Sequence, residues 1–140
     1  PLQASSDIGM TEERLGDERS RRAHRWRDLR RSGARLALGS DFPIESENPL
    51  WGIHAAVTRR RRDGQPAGGW RPEQALDAEE ALRGFTVEAA RAAFTEDQLG
   101  SLGPGRRADF VLLPVDPVAD DPDLLRTGLG LCDRCAWNRH

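Results

Sequence analysis

The run Gly39-Ser40-Asp41-Phe42-Pro43 holds the residue best placed in this sequence for chemistry. It closes a short apolar stretch, Arg35 to Gly39, that reads as a buried parallel strand. An aspartate just beyond the carboxyl end of such a strand stands where α/β enzymes keep reacting groups. A carboxylate there can hold a divalent metal or take a proton from a metal-bound water. By spacing alone, Ser-Asp-x-Pro is also an ordinary turn or helix start, and the turn is its commoner meaning. Cys132-x-x-Cys135 with His140 could form half a zinc site or a redox pair. No second pair completes four ligands, so incidental spacing is the expectation. His24 and His54 each fall on expected helices, where a lone histidine is usually a surface or partly buried residue. His54 is the more interesting, because its helix starts close to the loop that carries Asp41. Glu45 could line a pocket beside Asp41, with a solvated loop acid as the simpler reading. Asp109 is expected to fix a turn through side-chain hydrogen bonds.

Charge offers a different chemistry and argues against it. All 21 basic residues are arginine. Residues 11–35 hold nine of them against five acids, and Arg59 to Arg62 adds four in a row. Basic helices can bind phosphates. Yet Glu18 and Arg22 are spaced to pair on one helix face, Trp26 alone does not make a series of aromatics interleaved for base stacking, and the net charge is −2. A solvated helix face is expected rather than a nucleic-acid surface. No apolar run approaches the ~18 residues of a membrane span, and two cysteines cannot staple a disulfide scaffold.

The 140 residues bound the chain to one domain or a piece of one. Pro1 to Asp7 lacks the order of a signal peptide; a cytoplasmic setting is the expectation. The start at Pro1, with Met10 as the sole methionine, reads as a fragment. After an initial strand end or loop, Thr11 to Ser32 reads as one long helix, with Asp17 able to cap its main body. Ala23, Trp26, Leu29 and Gly33 form its buried stripe and Gly33 its stop. Leu50 to Arg61 reads as a second helix burying Leu50, Ile53, Ala56 and Val57. Asp63 to Arg71 is a glycine-rich loop. Asp77-Ala-Glu-Glu80 is a capping box that opens a helix to Gly84. Thr86 caps a further helix to Phe94, with Val87, Ala90 and Phe94 on its apolar face. Gly100, Gly103, Pro104 and Gly105 make a tight turn before a second strand, Ala108 to Leu113, which Asp116-Pro117 ends. Helix, strand, helix in this order fits the tail of a parallel α/β barrel or a doubly wound sheet.

The motifs together resemble one family. Gly39-Ser-Asp-Phe-Pro-Ile44, Pro49, Gly52-Ile53 and Ala55-Ala-Val-Thr-Arg59 are similar to the amidohydrolase superfamily in its family-3 branch. Ala81-Leu82, Phe85-Thr86, Ala89-Ala90 and the run Gly100 to Leu113 continue the pattern. Leu15-Gly16, Glu18-Arg19 and Trp26 match upstream. The resemblance covers roughly residues 1–123, with several motifs in order.

That resemblance implies an α/β fold: about the last one to two βα units of a metal-bearing (β/α)₈ TIM barrel, plus part of a small β-sandwich. Residues 1–98 would be barrel and 99–140 the return into the sandwich, ending in a divergent tail. Asp41 matches the strand-eight aspartate that binds the metal and shuttles a proton to the leaving amine. The implied cofactor is a divalent metal, with zinc the expectation, and the partner a small-molecule substrate. The family's histidine ligands come from earlier strands, and none of His24, His54 or His140 matches them. Gln3 stands where many relatives carry a histidine, which bears on specificity. The function implied is hydrolysis of amide or other C–N bonds. The chain itself offers one ligand of a site that needs several, so it is expected to be inactive alone. A truncated or frame-shifted remnant, or an interaction piece, is the alternative.

Overall fold

A computed structural model describes residues 1–127 of the chain. Its helices are α1 (Leu2–Ser6), α2 (Ile8–Ser20), α3 (Trp26–Arg31), α4 (Pro49–Thr58), α5 (Ala78–Phe85), α6 (Val87–Ala92) and α7 (Asp123–Arg126), with a 3₁₀ turn at Pro72–Gln74. The single helix expected over Thr11–Ser32 is instead two helices and a turn, and the start of the chain is helical rather than extended. Gly16, at φ +71, interrupts the regular backbone of α2. Asp17 follows that break directly, yet its side chain caps nothing; its carboxylate pairs with Arg21 at 2.7 Å, and no Glu18–Arg22 pair forms. His24, expected on a helix, sits in the turn before α3 at φ +51. Gly33 does stop α3. At φ +89 it lets its own N–H reach the Arg30 carbonyl while Ala34 N–H reaches that of Leu29, the paired bonds of a Schellman ending.

Helix α4 is the centre of the molecule. Asn48 accepts the Leu50 N–H at 3.0 Å, and Pro49 occupies the first turn, where no backbone donor is needed. Leu50, Gly52, Ile53, His54, Ala55 and Ala56 are all buried, so little of this helix meets water. It packs against α1, α5 and α7. Gly52 is required by one of these contacts: a Cβ there would lie 2.4 Å from Phe85 Cζ. The helix ends at Thr58, earlier than the expected Arg61, because Arg59 turns into the left-handed region at φ +57. The core gathers Leu50, Ile53, Ala56, Leu76, Ala81 and Leu125, flanked by Trp26, Leu36, Leu38, Val57, Phe85 and Leu113.

Helix α5 opens with the expected capping box. Asp77 Oδ1 accepts Glu80 N–H at 2.7 Å, and Glu80 Oε2 accepts Asp77 N–H at 3.1 Å. The next helix departs from expectation. Thr86 makes no side-chain cap; its hydroxyl donates back to the Leu82 carbonyl at 2.8 Å. Phe94, expected on the buried face, lies beyond the end of α6 at 91% exposure. Leu29 is also exposed, where the sequence stripe places it in the core.

Neither expected strand forms a ladder among the described residues. Residues 34–41 and 107–113 run without helix or β-bridge. Burial nevertheless alternates along 34–41: Leu36 and Leu38 are partly covered while Arg35, Ala37 and Gly39 are exposed, the period-two pattern of extended backbone. The missing ingredient is a neighbouring strand. Leu38 N–H donates instead to the Gly84 carbonyl at the end of α5, at 3.0 Å.

Candidate functional site

Asp41 ends the alternating segment. Leu36 and Leu38 seat that segment on the α4–α5 core, and the bond from Leu38 to Gly84 holds its height. At Asp41 the backbone enters the left-handed region, φ +59, a conformation aspartate tolerates better than most residues. The Asp41 carbonyl then accepts Ile44 N–H at 2.8 Å, closing a turn across Phe42 and Pro43. The Asp41 carboxylate is exposed and makes no hydrogen bond or ion pair among the described residues. Phe42 and Ile44 stand beside it with most of their surfaces in solvent. Glu45 is half-buried rather than fully solvated.

The other expected residues disperse. His24 packs edge-on near Trp26 and Trp70, at 6.1 and 6.2 Å between centroids. Burial, with the Arg59 charge adding to it, pulls its pKa below the usual imidazole value. His54 is buried in α4 and bonded to Asp123, Nε2 to Oδ1 at 3.0 Å. Asp109 forms no side-chain hydrogen bond among the described residues; it is Asp116 that organises its turn, accepting Val118 and Ala119 N–H. Cys132, Cys135 and His140 lie outside the described residues. No group of three or more His, Cys, Asp or Glu side chains gathers around a common point among the described residues. Asp41 therefore has the hard oxygen chemistry of a metal ligand but is one ligand, not a site.

The arginine run at 59–62 is a solvated face only in part: Arg62 is exposed and Arg60 and Arg61 are partly covered, but Arg59 is buried. Arg59 is 2% exposed, its guanidinium 4.1 Å from the Trp26 ring centre and 5.2 Å from that of Trp70. Nε donates to the Trp70 carbonyl at 3.0 Å, while Nη1 and Nη2 are buried without a partner among the described residues. Burial pulls its pKa down to about 10, with Arg71 adding to the effect and Glu73 opposing it. It remains charged at neutral pH. Arg60 reaches Asp123 at 3.2 Å and Arg62 lies over Trp51 at 3.4 Å. Nothing local in the sequence separates Arg59 from its neighbours; the two tryptophans that enclose it are distant in the chain. Arg21, Arg22 and Arg25, between α2 and α3, line a cleft of about 410 Å³ with Arg71, Glu18, Asp28, Glu73 and Gln74. That cleft is remote from Asp41 in sequence and its charges are largely spoken for: Arg21 pairs with Asp17, Arg25 with Asp28 at 2.6 Å, and Arg71 with Ser20. No helix among the described residues is long and apolar enough to cross a membrane.

The structure superposes on the crystal structure of an uncharacterized metal-dependent hydrolase from Pyrococcus furiosus, with a TM-score of 0.57 and 35% identity. That match covers 74% of this chain and 20% of the hydrolase. The model of the amidohydrolase family matches residues 1–129, and the chain belongs to that family. It is 41% identical over 108 residues to the protein LONG AFTER FAR-RED 3 of Arabidopsis thaliana, covering 76% of this chain and 18% of the relative. It is 35% identical over 122 residues to the Bacillus subtilis protein YtcJ, which carries an amidohydrolase designation; that match covers 87% of this chain and 23% of YtcJ. An N-substituted formamide deformylase from Arthrobacter pascens is 35% identical over 92 residues, 66% of this chain and 16% of the enzyme. The chain thus spans roughly a fifth of the length of these relatives. The family expected from the motifs is borne out.

Proposed function

We propose that this chain serves as the closing part of a metal-dependent hydrolase that cleaves amide or related C–N bonds in small molecules. The observation that carries the reading is Asp41: an exposed carboxylate without a partner among the described residues, at the end of the segment seated by Leu36 and Leu38, in a chain of the amidohydrolase family. Relatives named as a deformylase and as deaminases support the bond class. In this reading residues 34–41 are the last strand of a (β/α)₈ barrel, within a barrel portion 1–98. Residues 99–140 lead into a small β-sandwich, with 107–113 as one of its strands. Partner strands from the rest of the barrel would supply the ladders that both segments lack.

A divalent cation, zinc by preference, would take one oxygen of Asp41 as a ligand, and when bound it supplies Lewis-acid activation of water. The work of this chain is a proton transfer. Asp41 accepts a proton from the attacking water and returns it to the nitrogen of the leaving amine, so the carboxylate ends the cycle as it began. Phe42 and Ile44 would form an apolar rim on the substrate side. One observation favours the competing reading of a non-catalytic remnant: no group of three or more His, Cys, Asp or Glu side chains that could hold a metal gathers among the described residues. A histidine-x-histidine strand encoded in frame upstream supports the enzyme, and a stop codon there supports the remnant.

The test is Asp41→Asn in a full-length protein carrying this segment, assayed on a panel of N-acyl substrates with added zinc. Asparagine keeps the shape and one coordinating oxygen but cannot carry the proton, so turnover is expected to fall about 10² to 10⁴-fold with an unchanged circular-dichroism spectrum. Wild-type turnover by Asp41→Asn would show that Asp41 is not the proton carrier.

A further inference from the structure

A second polar assembly, unconnected with Asp41, joins α4 to the end of the described chain. His54 is 2% exposed. Its Nε2 meets Asp123 Oδ1 at 3.0 Å, so the ring proton sits on Nε2 and is donated to the carboxylate. Asp123 Oδ2 accepts from Arg60 Nη1 at 3.2 Å, and Arg126 Nε stands 3.6 Å from Oδ1. Arg126 also donates to the Arg62 carbonyl at 3.0 Å. Beside these polar bonds, Leu125 is the buried apolar anchor of α7. Four residues of helix are thus held by one carboxylate, one leucine and one arginine. A helix this short has no stability of its own.

We infer that His54 and Asp123 form a proton-released latch: segment 116–127 docks on α4 at neutral pH and undocks on acidification. The reason is the environment that docking creates around the imidazole. Closed, α7 helps to shut the ring off from water and holds Arg126 near it, with Arg60 on the same carboxylate. A second proton, which must enter at Nδ1, would place an imidazolium in a buried site already bearing two guanidinium groups against one carboxylate. Open, the ring is hydrated and takes that proton at the ordinary imidazole value, about 6.5. The other helices against α4 do not change this balance. α1 carries no ionisable side chain. On α5, Glu80 is engaged by Arg27 and Arg30, Arg83 reaches toward Glu88, and Glu79 is exposed.

The sign follows from linkage. Burial, with Arg60 and Arg126 adding to it and Asp123 opposing, holds the His54 pKa below its ordinary value in the docked state. A base whose pKa is depressed by docking favours docking fully at high pH, and that contribution is lost as pH falls through the ordinary value. Asp123 acts in the same direction at lower pH. Its burial alone would raise its pKa, but the His54 hydrogen bond and the Arg60 charge outweigh that and lower it. Of the two members of the latch, His54 is therefore the one that responds first as the pH falls from neutrality.

The experiment is hydrogen exchange on the chain as it stands, corrected for intrinsic pH dependence. The reporters are the amides of Leu124, Leu125 and Thr127, which bond to the carbonyls of Asp121, Pro122 and Asp123. Their protection is expected to fall from pH 7.5 to 5, ~10-fold for each unit by which docking depresses the His54 pKa, while the α4 amides keep theirs. His54→Gln, which can still donate to Asp123, should give a flat profile. This variant also separates His54 from His24, whose pKa burial likewise pulls below the ordinary imidazole value. In the wild type, the His54 ring resonances should titrate below pH 6.5 together with the Leu125 methyl signals. Constant protection across the range, the same decline in His54→Gln, or equal losses in α4 would each overturn the latch. So would His54 titrating at or above its ordinary value.

Discussion

Removing Glu80 tests how the wall behind the Asp41 segment is assembled. The carboxylate does two jobs at once. Oε2 accepts Asp77 N–H at 3.1 Å, closing the capping box of α5, and stands 2.9 Å from Arg27 Nη1. Oε1 receives Arg30 Nε at 3.4 Å. The side chain is 18% exposed, so these contacts are only partly screened. One capping bond is worth ~1 kcal/mol. The half-buried bonds to two guanidinium groups together add ~1–2 kcal/mol, below the full charged-bond value because both arginines keep some contact with water. Arg27 Nε retains the Ala75 carbonyl and Arg30 Nη1 that of Ala34, so neither cation is abandoned. Glu80→Ala is therefore expected to cost ~2–3 kcal/mol, a fall in Tm of about 10 °C at this chain length. Glu80→Gln keeps an acceptor for the cap and should cost ~1 kcal/mol, as should Asp77→Ala. Urea denaturation followed by circular dichroism measures all three. If Glu80→Ala matches Asp77→Ala, the tie to α3 contributes nothing and the dual role assigned to Glu80 is wrong.

Arg59→Met should lie within ~1 kcal/mol of the wild type, because it keeps the volume between Trp26 and Trp70 while removing a buried charge with two unpartnered nitrogens. Arg59→Ala should cost ~2–5 kcal/mol through the cavity it leaves, and equal losses in the two variants by urea denaturation would contradict the packing role. Gly69→Ala would place a Cβ 2.4 Å from the Thr58 carbonyl oxygen at φ +78. Its expected cost is ~1–3 kcal/mol, read as a lower urea midpoint, and an unchanged midpoint would mean that the 59–71 loop does not pack as described.

What the sequence determined by itself is what depends on a few adjacent residues. The Asp77–Glu80 box and the Gly33 stop of α3 are local hydrogen-bonding problems, solvable within a turn of chain. The ordered motifs from Gly39 to Leu113 also sufficed for the family. Tertiary structure decided what depends on distant partners. Arg59 and Arg62 are neighbours of one type in one run, yet Arg59 is buried, because Trp26 and Trp70 close over it from elsewhere in the chain. His54 reads as a lone helical histidine until Asp123, 69 residues away, arrives beside it. Leu29 and Phe94 have core-like spacing and lie exposed, since periodicity names a face but not what covers it. The segments ending at Asp41 and Leu113 have strand-like patterns without ladders, because a strand is completed only by the backbone of another.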